Sequence, residues 1–574
     1  MQKRNLSIIQ DIVYQAVTKA GFEVNEADIH IDPTKTIEHG HFATNIALLL
    51  AGKAGKKPRD VAESLVSHLS SPLFEKIEVA GPGFINFWVE QKFYTTECRS
   101  ILSDLDDYVQ SVLDVSSGTM VIDYSSPNIA KPLGVHHLLS TIIGDSVKRI
   151  YRKGGYKVIA DNYLGDIGTQ FGKLIYAIKN WGDIVQIEED PINKLLELYV
   201  SFHDQAENDP ALDDLAREEF RKFEDGDKEN RALWKKIVDW SLLEIMPLYA
   251  RLGVEFDEMR GESFYEDKME AILEEGRQKG VFVDGTNGAW IVMPDDPNDP
   301  PAIVKKSDGS SIYLTRDLAQ TAYWEKTYHP DLMVWVVDVA QSLHFRQRFH
   351  ASRKLGQTSA QMVHVDFGRM QFKDGSMSTR KGNIIRLSEV LDEAEKRSFT
   401  LAKEKGFQLS NEEAEELARI MGVGAVKYNI LHQNRTTNIT FDWDKMLAFE
   451  GNSAPYLLYT VTRARSVLRK SGLNEADLND FELTPAIPTE IRLLIQLLMY
   501  PDAVRRALEE FKPNHIANHL YQLAQDFNGF YNGNSILQAD SEDLKKSRLL
   551  LTATVVRVME DGLGLLGIEI PEKM

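Results

Sequence analysis

Apolar positions change their spacing along the chain, and the first section combines helical with strand-like patterns. Near the N-terminus, apolar residues recur every three or four positions, as in an amphipathic helix. They are Leu6, Ile9, Ile12, Val13 and Ala16. The run IEVAGPGFINFWV places β-branched and aromatic residues on both sides of Gly81-Pro82-Gly83, which predicts two strands joined by a turn. We therefore predict a small α+β domain over residues 1–113, followed by a linker at SVLDVSSGTM.

The second section alternates short apolar runs with amphipathic ones. TMVIDYSS and YKVIADNYLGD predict strands, whereas HHLLSTIIGDSVKRIYRKGG and GTQFGKLIYAIKNWG predict helices. This alternation implies a parallel sheet with crossover helices. Residues 191–252 are predicted to form strongly charged helices, and strands are predicted again at AWIVMP and LMVWVVDVA.

Two turn signals and a long helical section complete the pattern. Asp284-Gly285 and Asn287-Gly288 favour hairpins. From about Asn411 the apolar spacing is helical to the end, which is typical of a helical bundle. The sequence therefore predicts a multidomain α/β protein with segments at 1–113, 114–445 and 446–574.

Composition is that of an ordinary globular protein of several domains. The chain has 574 residues, of which 43% are hydrophobic and 26% charged. Its single cysteine, Cys98, excludes an intramolecular disulfide and a cysteine-rich zinc site. No spaced cluster of histidines or carboxylates indicates a metal site, so we predict none.

Hydropathy and charge limit the location and the partners. No apolar run approaches the ~20 residues that span a bilayer, and the N-terminus lacks the features of a signal peptide. We therefore expect a cytoplasmic protein without a membrane partner. The formal charge of −20 argues against a nucleic-acid partner when taken alone. Electrostatic binding depends on the field within ~8–10 Å, however, so a local basic face remains compatible with that charge.

Residues 125–141, SSPNIAKPLGVHHLLST, form the most informative run. They lie between a predicted strand and a predicted helix, at the carboxyl edge of the sheet, where open α/β sheets bind ligands. The helix beginning near His137 would direct its N-terminus at an anion such as a phosphate. Taken alone, the run also fits a plain connection with two surface histidines.

Two later runs carry further candidate chemistry. Residues 376–383 combine hydroxyls, two cations and Gly-Asn, which suits phosphate binding, although a solvated basic turn has the same composition. Asp317 follows Tyr313 by four residues, so the two share a face if this segment is helical. A carboxylate and a phenol can together bind a guanidinium. Helix capping is the alternative role for Asp317.

Together these runs resemble class I arginyl-tRNA synthetases, and the resemblance covers nearly the whole chain. HGHFATNIAL and GPGFIN resemble the extra N-terminal domain of that family. The other matching runs, in chain order, are SSPNIAK, NYLGDIGTQFGKL, YLTRDLA, DVAQSLHFRQ, MSTRKGN, GAVKYNILHQNRT, FEGNSAPYLLY and GLGLLGIEIPEKM. The resemblance implies a Rossmann-like catalytic domain at 114–445 and a helical anticodon-binding domain at 446–574.

The resemblance assigns an arginine site to the carboxyl edge of the sheet. Asp317 and Tyr313 would hold the guanidinium. The rest of the arginine would be surrounded by Asp123, Ser126, Asn128 and Gln341, with His137 reaching both arginine and ATP.

ATP would lie over Gly134-Val135-His136-His137, with its phosphates between Lys131 and the MSTRK loop. The implied ATP-binding residues are Pro127, Lys131, Gly134, His136, His137, Met377, Ser378, Thr379, Arg380 and Lys381. Those implied to act in catalysis are Lys131, His136, His137, Ser378, Arg380 and Lys381. The loop is a degenerate Lys-Met-Ser-Lys-Ser pattern, and Lys131 would supply cationic charge that it lacks.

The implied reaction has two displacements. The arginine carboxylate attacks the α-phosphorus of ATP, and the terminal adenosine 2′-OH of tRNA then attacks the acyl carbon. Catalysis would be positioning plus stabilisation of charge, and Mg²⁺ would bridge phosphates with few protein ligands. The implied partners of a monomer are L-arginine, ATP and the cognate arginine tRNA, which the family often requires for activation.

The helical C-terminal section would read the anticodon, while the N-terminal domain would contact the outer corner of the tRNA. Unpaired bases are read by stacking and by base-edge hydrogen bonds. The candidates are Tyr456, Tyr459, Arg463, Arg465, Phe527, Asn528, Tyr531 and Asn532. Aromatic residues at helical spacing also fit a protein core, so this alternative stays open.

The run Gly134-Val135-His136-His137 departs from the family pattern, which usually has His at Gly134 and Gly at His136. This altered signature is the only support for one alternative, a non-catalytic RNA-binding protein of synthetase descent, and the intact Lys131, His137 and MSTRK count against that alternative. A dinucleotide oxidoreductase would need a glycine-rich fingerprint, which SSPNIAKPLG does not provide. A cysteine-specific class I relative is disfavoured because it would need zinc ligands, and the chain has one cysteine.

Overall fold

The computed structural model describes residues 5–113, 117–307, 313–373, 385–407, 409–473, 475–478 and 480–574. In the N-terminal section, a four-stranded sheet of order β1-β2-β4-β3 is covered by helices. The elements are α1 (Leu6–Lys19), β1 (Asp32–Pro33), β2 (Phe42–Thr44), α2 (Ile46–Ala54), α3 (Pro58–Val66), β3 (Phe74–Ala80), β4 (Phe84–Val89), α4 (Gln91–Ser103) and α5 (Leu105–Leu113). The predicted hairpin is confirmed, since β3 and β4 pair antiparallel up to Ala80 and Phe84.

The middle section contains the predicted parallel sheet. Its first elements, which end with the strands of a three-stranded sheet (β8, β9 and β10), are β5 (Thr119–Asp123), α6 (Val135–Lys153), β6 (Lys157–Leu164), α7 (Thr169–Trp181), α8 (Ile184–Glu189), α9 (Pro191–Asn208), α10 (Ala211–Glu224), α11 (Lys228–Arg251), β7 (Glu258–Gly261), α12 (Met269–Gln278), β8 (Phe282–Asp284), β9 (Trp290–Val292) and β10 (Ala302–Lys305). They continue with α13 (Tyr313–Tyr328), β11 (Leu332–Asp338), α14 (Ser342–Leu355), β12 (Gln361–Phe367) and β13 (Met370–Phe372).

Five parallel strands in the order β12-β11-β5-β6-β7 form the central sheet. Its inner strand β5 is buried on both faces, because Met120, Val121 and Ile122 have no exposed surface. Such strands are typical of sheets with helices on both sides. The strand order reverses between β5 and β11, so the carboxyl ends of these two strands border a crevice.

Helices dominate the C-terminal section, as predicted. The elements are α15 (Leu387–Glu404), α16 (Asn411–Leu431), β14 (Ile439–Phe441), α17 (Trp443–Met446), α18 (Ala454–Ser471), α19 (Glu475–Leu478), α20 (Pro488–Glu510), α21 (Asn514–Gly533) and α22 (Glu542–Leu565). Among the described residues, no helix is both long and apolar enough to cross a membrane.

One local prediction was wrong. The section after Asn411 is not wholly helical, because β14 pairs in parallel with β13. A three-residue strand is too short to show a period of its own, so only the pairing reveals it. Of the expected linker SVLDVSSGTM, the first three residues end α5 and the last two begin β5, and residues 114–116 between them lie outside the described residues.

Candidate active site

Asp123 ends the inner strand β5 and points into the crevice at the carboxyl edge. Its Oδ1 atom accepts hydrogen bonds from Ser126 Oγ at 2.6 Å and from the Tyr163 backbone N–H at 3.2 Å. Burial raises the pKa of Asp123 to about 7, and the neighbouring Asp161 adds to this, although the hydrogen bond from Ser126 opposes it. The carboxyl group therefore changes its charge close to neutral pH.

The chain after β5 turns through an unusual backbone path. Ser125, Ser126 and Ala130 have φ values of 72°, 45° and 67°, which side chains other than glycine seldom adopt. Ser125 N–H donates to Ser140 Oγ at 2.9 Å, and Ser125 Oγ lies 2.7 Å from the Tyr249 hydroxyl. These bonds hold the path in place, as expected where backbone strain serves a site.

Asn128 and Gly165 meet where β5 and β6 end. Gly165 N–H donates to the Pro127 carbonyl at 2.9 Å, and Ile129 N–H donates to the Gly165 carbonyl at 3.3 Å. A β-carbon on Gly165 would lie 2.2 Å from Asn128 Oδ1, so a side chain there would displace the Asn128 amide. The structure thus places Ser126, Pro127 and Asn128 beside Asp123 at one edge of the sheet.

Helix α6 begins directly after Gly134 and carries the two histidines in its first turn. The Gly134 N–H donates to His137 Nδ1 at 3.1 Å, so the His137 proton resides on Nε2. The rings of His136 and His137 are 3.9 Å apart between centroids. Burial, followed by the neighbouring His136, lowers the pKa of His137 to about 3, so this imidazole is neutral. His136 is exposed, and partial burial of its ring also lowers its pKa.

Lys131 extends from the loop over helix α9. Its Nζ atom lies 4.4 Å from the centroid of the Tyr199 ring, which is a cation–π contact. The contact holds the ammonium group against the side of α9.

The predicted phosphate-binding residues Met377, Ser378, Thr379, Arg380 and Lys381 lie outside the described residues. The chain immediately after them is described, and it contacts the start of α6. Val135 N–H donates to the Ile385 carbonyl at 2.9 Å, and Leu387 N–H donates to the Leu133 carbonyl at 2.8 Å.

Tyr313 and Asp317 share a face of α13, because the segment is helical as the spacing required. Asp317 is buried, whereas Tyr313 is exposed and lines a cavity of about 1160 Å³ together with Gly168 and Arg316. His344 Nε2 lies 2.6 Å from Asp317 Oδ2, and Arg348 Nη1 lies 3.8 Å from Oδ1. Burial acts to raise the pKa of Asp317, but Arg348 and His344 outweigh it, so the pKa lies below its usual value.

Gln341 is exposed and ends a short 3-10 turn, Val339–Gln341, between β11 and α14. It therefore projects from the same carboxyl edge as Asp123. The sequence reasoning missed the residues on α14 that contact Asp317, namely His344 and Arg348. His344 lies within the run DVAQSLHFRQ, so its position three residues after the predicted Gln341 was the available signal.

The structure argues against Phe527 as a tRNA-binding candidate. It is completely buried in the helical section, where Phe530 and Tyr531 surround it, so its ring has no free face for a base. The other candidates are half-buried, except Asn532, which is exposed. The Arg463 guanidinium lies 4.5 Å from the Tyr459 ring and 5.0 Å from the Tyr531 ring, which joins α18 to α21.

Among the described residues, no group of three or more His, Cys, Asp or Glu side chains could hold a metal ion. The site instead offers an ionised carboxylate at Asp317, a carboxyl group that titrates near neutrality at Asp123, and a helix N-terminus. This arrangement suits a substrate that carries an ammonium group, a carboxylate and a further cationic group, bound beside a phosphate ester.

Comparisons with known proteins cover all three sections. Residues 99–443 match the family model described as tRNA synthetases class I (R), catalytic domain. Residues 7–89 match the arginyl tRNA synthetase N terminal domain, and residues 457–574 match the DALR anticodon binding domain.

Relatives that match most of the chain are named arginine–tRNA ligase. The chain is 44% identical to an arginine–tRNA ligase of Fusobacterium nucleatum over 93% of both chains, and 42% identical to one of Clostridium acetobutylicum over 90% of this chain and 91% of the relative. Its fold is similar to that of the arginyl-tRNA synthetases from Plasmodium falciparum and Thermus thermophilus, with TM-scores of 0.84 and 0.79 and identities of 24% and 23%. These matches cover 100% and 99% of this chain and 100% of each solved chain. The chain therefore belongs to the class I arginyl-tRNA synthetase family.

Proposed function

We propose that the chain ligates L-arginine to its cognate tRNA, using ATP and passing through an arginyl-adenylate. The observation that carries this proposal is the match to relatives named arginine–tRNA ligase, which are 44% and 42% identical over nine-tenths of the chain or more. The buried carboxylate of Asp317 supports it, because a guanidinium is a planar cation with donors alone.

In this proposal, arginine lies along the carboxyl edge of the sheet. Its guanidinium pairs with Asp317, with Tyr313 beside it on the same helical face. Its other end is surrounded by Asp123, Ser126, Asn128, His137 and Gln341. Asp123 is the acidic member of this set and is suited to the α-ammonium group once it is ionised.

The first step forms a bond between a carboxylate oxygen of arginine and the α-phosphorus, and breaks the bond to the β-phosphate oxygen. In the second step the tRNA 2′-OH attacks the acyl carbon and loses its proton, the bond from that carbon to the adenylate oxygen breaks, and AMP departs. His137 would donate from Nε2, because its Nδ1 already accepts the Gly134 N–H. Lys131 and the N-terminus of α6 would stabilise phosphate charge.

The remaining ATP contacts are proposals from the sequence. Pro127, Gly134 and His136 would lie along the nucleotide, and Met377, Ser378, Thr379, Arg380 and Lys381 would contact its phosphates. Mg²⁺ would arrive with ATP and neutralise phosphate charge, which requires few protein ligands. We further propose that the protein is a cytoplasmic monomer, which light scattering of the purified protein would test.

The tRNA would contact both outer domains. Tyr456, Tyr459, Arg463 and Tyr531 would face the anticodon loop, and the N-terminal domain would contact the tRNA corner. The altered histidine signature is the one feature that supports the alternative, a non-catalytic RNA-binding protein. That alternative is not favoured, since the match to the catalytic-domain model spans residues 99–443.

A charging assay tests the proposal. Purified protein with ATP, Mg²⁺ and arginine tRNA should transfer labelled arginine, but not labelled lysine or glutamine, to acid-precipitable tRNA. Folded protein that binds tRNA but charges none of several arginine tRNA transcripts would support the non-catalytic alternative.

Asp317 provides a sharper test of substrate identity. Removing one partner of a buried charge pair costs ~3–5 kcal/mol, which is roughly a hundred- to several-thousandfold. Asp317→Asn should therefore lower kcat/KM for arginine by that factor while the KM for ATP stays near normal. A loss of less than about tenfold would place the guanidinium elsewhere.

A further inference from the structure

Asp317 is enclosed by charged and titratable groups from several elements. Those facing it among the described residues are Tyr163 at the end of β6, Glu262 after β7, Arg316 on its own helix, and His344 and Arg348 on α14. The Asp317 side chain retains 11% of its surface, so it is reachable from the crevice but poorly hydrated. A carboxyl group in such surroundings takes up a proton unless nearby cations oppose burial.

Arg348 supplies that opposing charge from a fixed position. Its Nη2 atom donates to Gln320 Oε1 at 2.7 Å and to Thr321 Oγ1 at 3.1 Å. Its guanidinium lies 4.3 Å from the centroid of the Trp335 ring, and only 3% of its side chain is exposed. The 3.8 Å from Nη1 to Asp317 Oδ1 is longer than a hydrogen bond. Arg348 therefore contributes charge without using the lone pairs of Oδ1.

His344 controls the orientation of the same carboxylate. With its proton on Nε2, it donates to Asp317 Oδ2 over 2.6 Å, a short, charge-assisted geometry. One fixed oxygen sets the plane of the group, which leaves Oδ1 to accept from a ligand. The carboxyl group of Glu262 is already paired with Arg316 at 2.6 Å, so it is the weaker partner for an added cation.

We propose that Arg348 and His344 are positioning residues: Arg348 keeps Asp317 ionised, and His344 fixes its carboxylate plane for the guanidinium of arginine. This inference rests on the proposed function. A protonated Asp317 would present an O–H donor to a ligand that has donors only, so recognition would fail. The Asp317 carboxylate that would bind the substrate arginine thus depends on Arg348, which lies close to it without forming a hydrogen bond.

Kinetics of arginine charging across pH separate this role from a structural one. The variants are Arg348→Met, which removes the charge, and Arg348→Lys, which keeps it. His344→Leu removes the hydrogen bond, whereas the His344→Gln amide can still donate. Arg346→Met is the matched control, because Arg346 lies on the same helix and pairs with Asp299 at the surface.

Arg348→Met should raise the arginine KM about 10- to 100-fold near pH 6, with little change in the ATP KM. At each pH, the arginine KM of Arg348→Met is divided by that of the unaltered protein. This ratio should fall with rising pH, by up to about tenfold per pH unit over the range in which Asp317 of the variant is protonated. Arg348→Lys should suppress this pH dependence. His344→Leu should raise the arginine KM about tenfold at all pH values, and His344→Gln should recover most of the loss. Arg346→Met should behave as the unaltered protein.

A ratio for Arg348→Met that does not vary with pH would overturn the charge role, and an unchanged arginine KM in His344→Leu would overturn the orienting role. If Arg348→Met does not fold, as judged by thermal unfolding, Arg348→Lys and the partly exposed His344 carry the test. Failure of the unaltered protein to charge arginine would instead refute the proposed function.

Discussion

At the residue scale, the start of α6 departs from the family pattern in its side chains, while the Gly134 backbone is ordinary. Gly134 has φ −86° and ψ 161°, which any residue adopts. The altered signature is therefore a change of side chains on an ordinary path.

The double exchange Gly134→His with His136→Gly should consequently retain adenylation within about tenfold of the unaltered rate. His136→Ala alone should slow it by about ten- to a thousandfold, if the exposed ring contacts the phosphates in the transition state. Pyrophosphate exchange in the presence of tRNA measures both. Normal kinetics for His136→Ala would show that its ring contributes nothing, and an inactive exchange variant would indicate a rebuilt turn.

Asp123 predicts a pH dependence of arginine binding. Burial raises its pKa to about 7, so the carboxyl group is mostly neutral near pH 6 and ionised near pH 8. If it pairs with the α-ammonium group, arginine should bind about tenfold more tightly at pH 8 than at pH 6. Titration calorimetry with arginine checks this. Asp123→Asn should bind weakly with no such slope, and an identical slope in that variant would assign the proton to another group.

At the element scale, α6 connects the active site to both outer sections. His137 stands in its first turn, and Lys153 stands at its last residue. Lys153 Nζ pairs with Asp561 on α22 at 2.6 Å and with Asp106 on α5. Midway along, Ser146 Oγ donates to the Leu565 carbonyl at 2.9 Å, at the C-terminus of α22. One helix thus fixes the position of the histidines relative to the helical section.

Lys153→Met should lower the melting temperature by several degrees. One-sided loss of a buried ion pair costs ~3–5 kcal/mol, and the exposure of Asp106 reduces that figure. Differential scanning fluorimetry of the full chain measures the change. Lys157→Met, at the exposed start of β6, is the matched control and should melt as the unaltered protein does. Equal melting temperatures for the two variants would contradict a linking role for Lys153.

At the scale of the whole molecule, net charge does not decide the partner. The chain carries −20, yet its proposed partner is a polyanion. Local arrangements resolve this, because electrostatic attraction acts within ~8–10 Å. Arg463 between Tyr459 and Tyr531 offers a cation and two aromatic faces on one side of α18. The other side of that helix, with Arg469, lines a separate cavity of about 740 Å³.

Tyr531→Ala should therefore raise the KM for tRNA about 5- to 150-fold, the value of ~1–3 kcal/mol for one stacked base. The KM for arginine should stay nearly constant. Arginine charging at varied tRNA concentration measures both, and Arg469→Ala serves as the control on the opposite side of α18. A larger effect of Arg469→Ala would move the tRNA contact to the cavity side.

The sequence by itself determined the order of the sections, the inner strand β5, helix α6 and the helical pairing of Tyr313 with Asp317. These are local properties, because periodicity and spacing express which faces of a segment are buried. It also determined the family, since its motifs lie in the expected order along the chain.

Only the tertiary structure decided which distant residues meet. His344 and Arg348 approach Asp317 from a separate helix, and β13 pairs with β14 although two helices separate them in the chain. Phe527 is a core residue rather than a tRNA contact for the same reason, because burial depends on neighbouring helices and not on the residue type alone. The charge of a buried group follows from those neighbours, so the lowered pKa of the buried Asp317 and the near-neutral pKa of Asp123 arise only when the chain is folded.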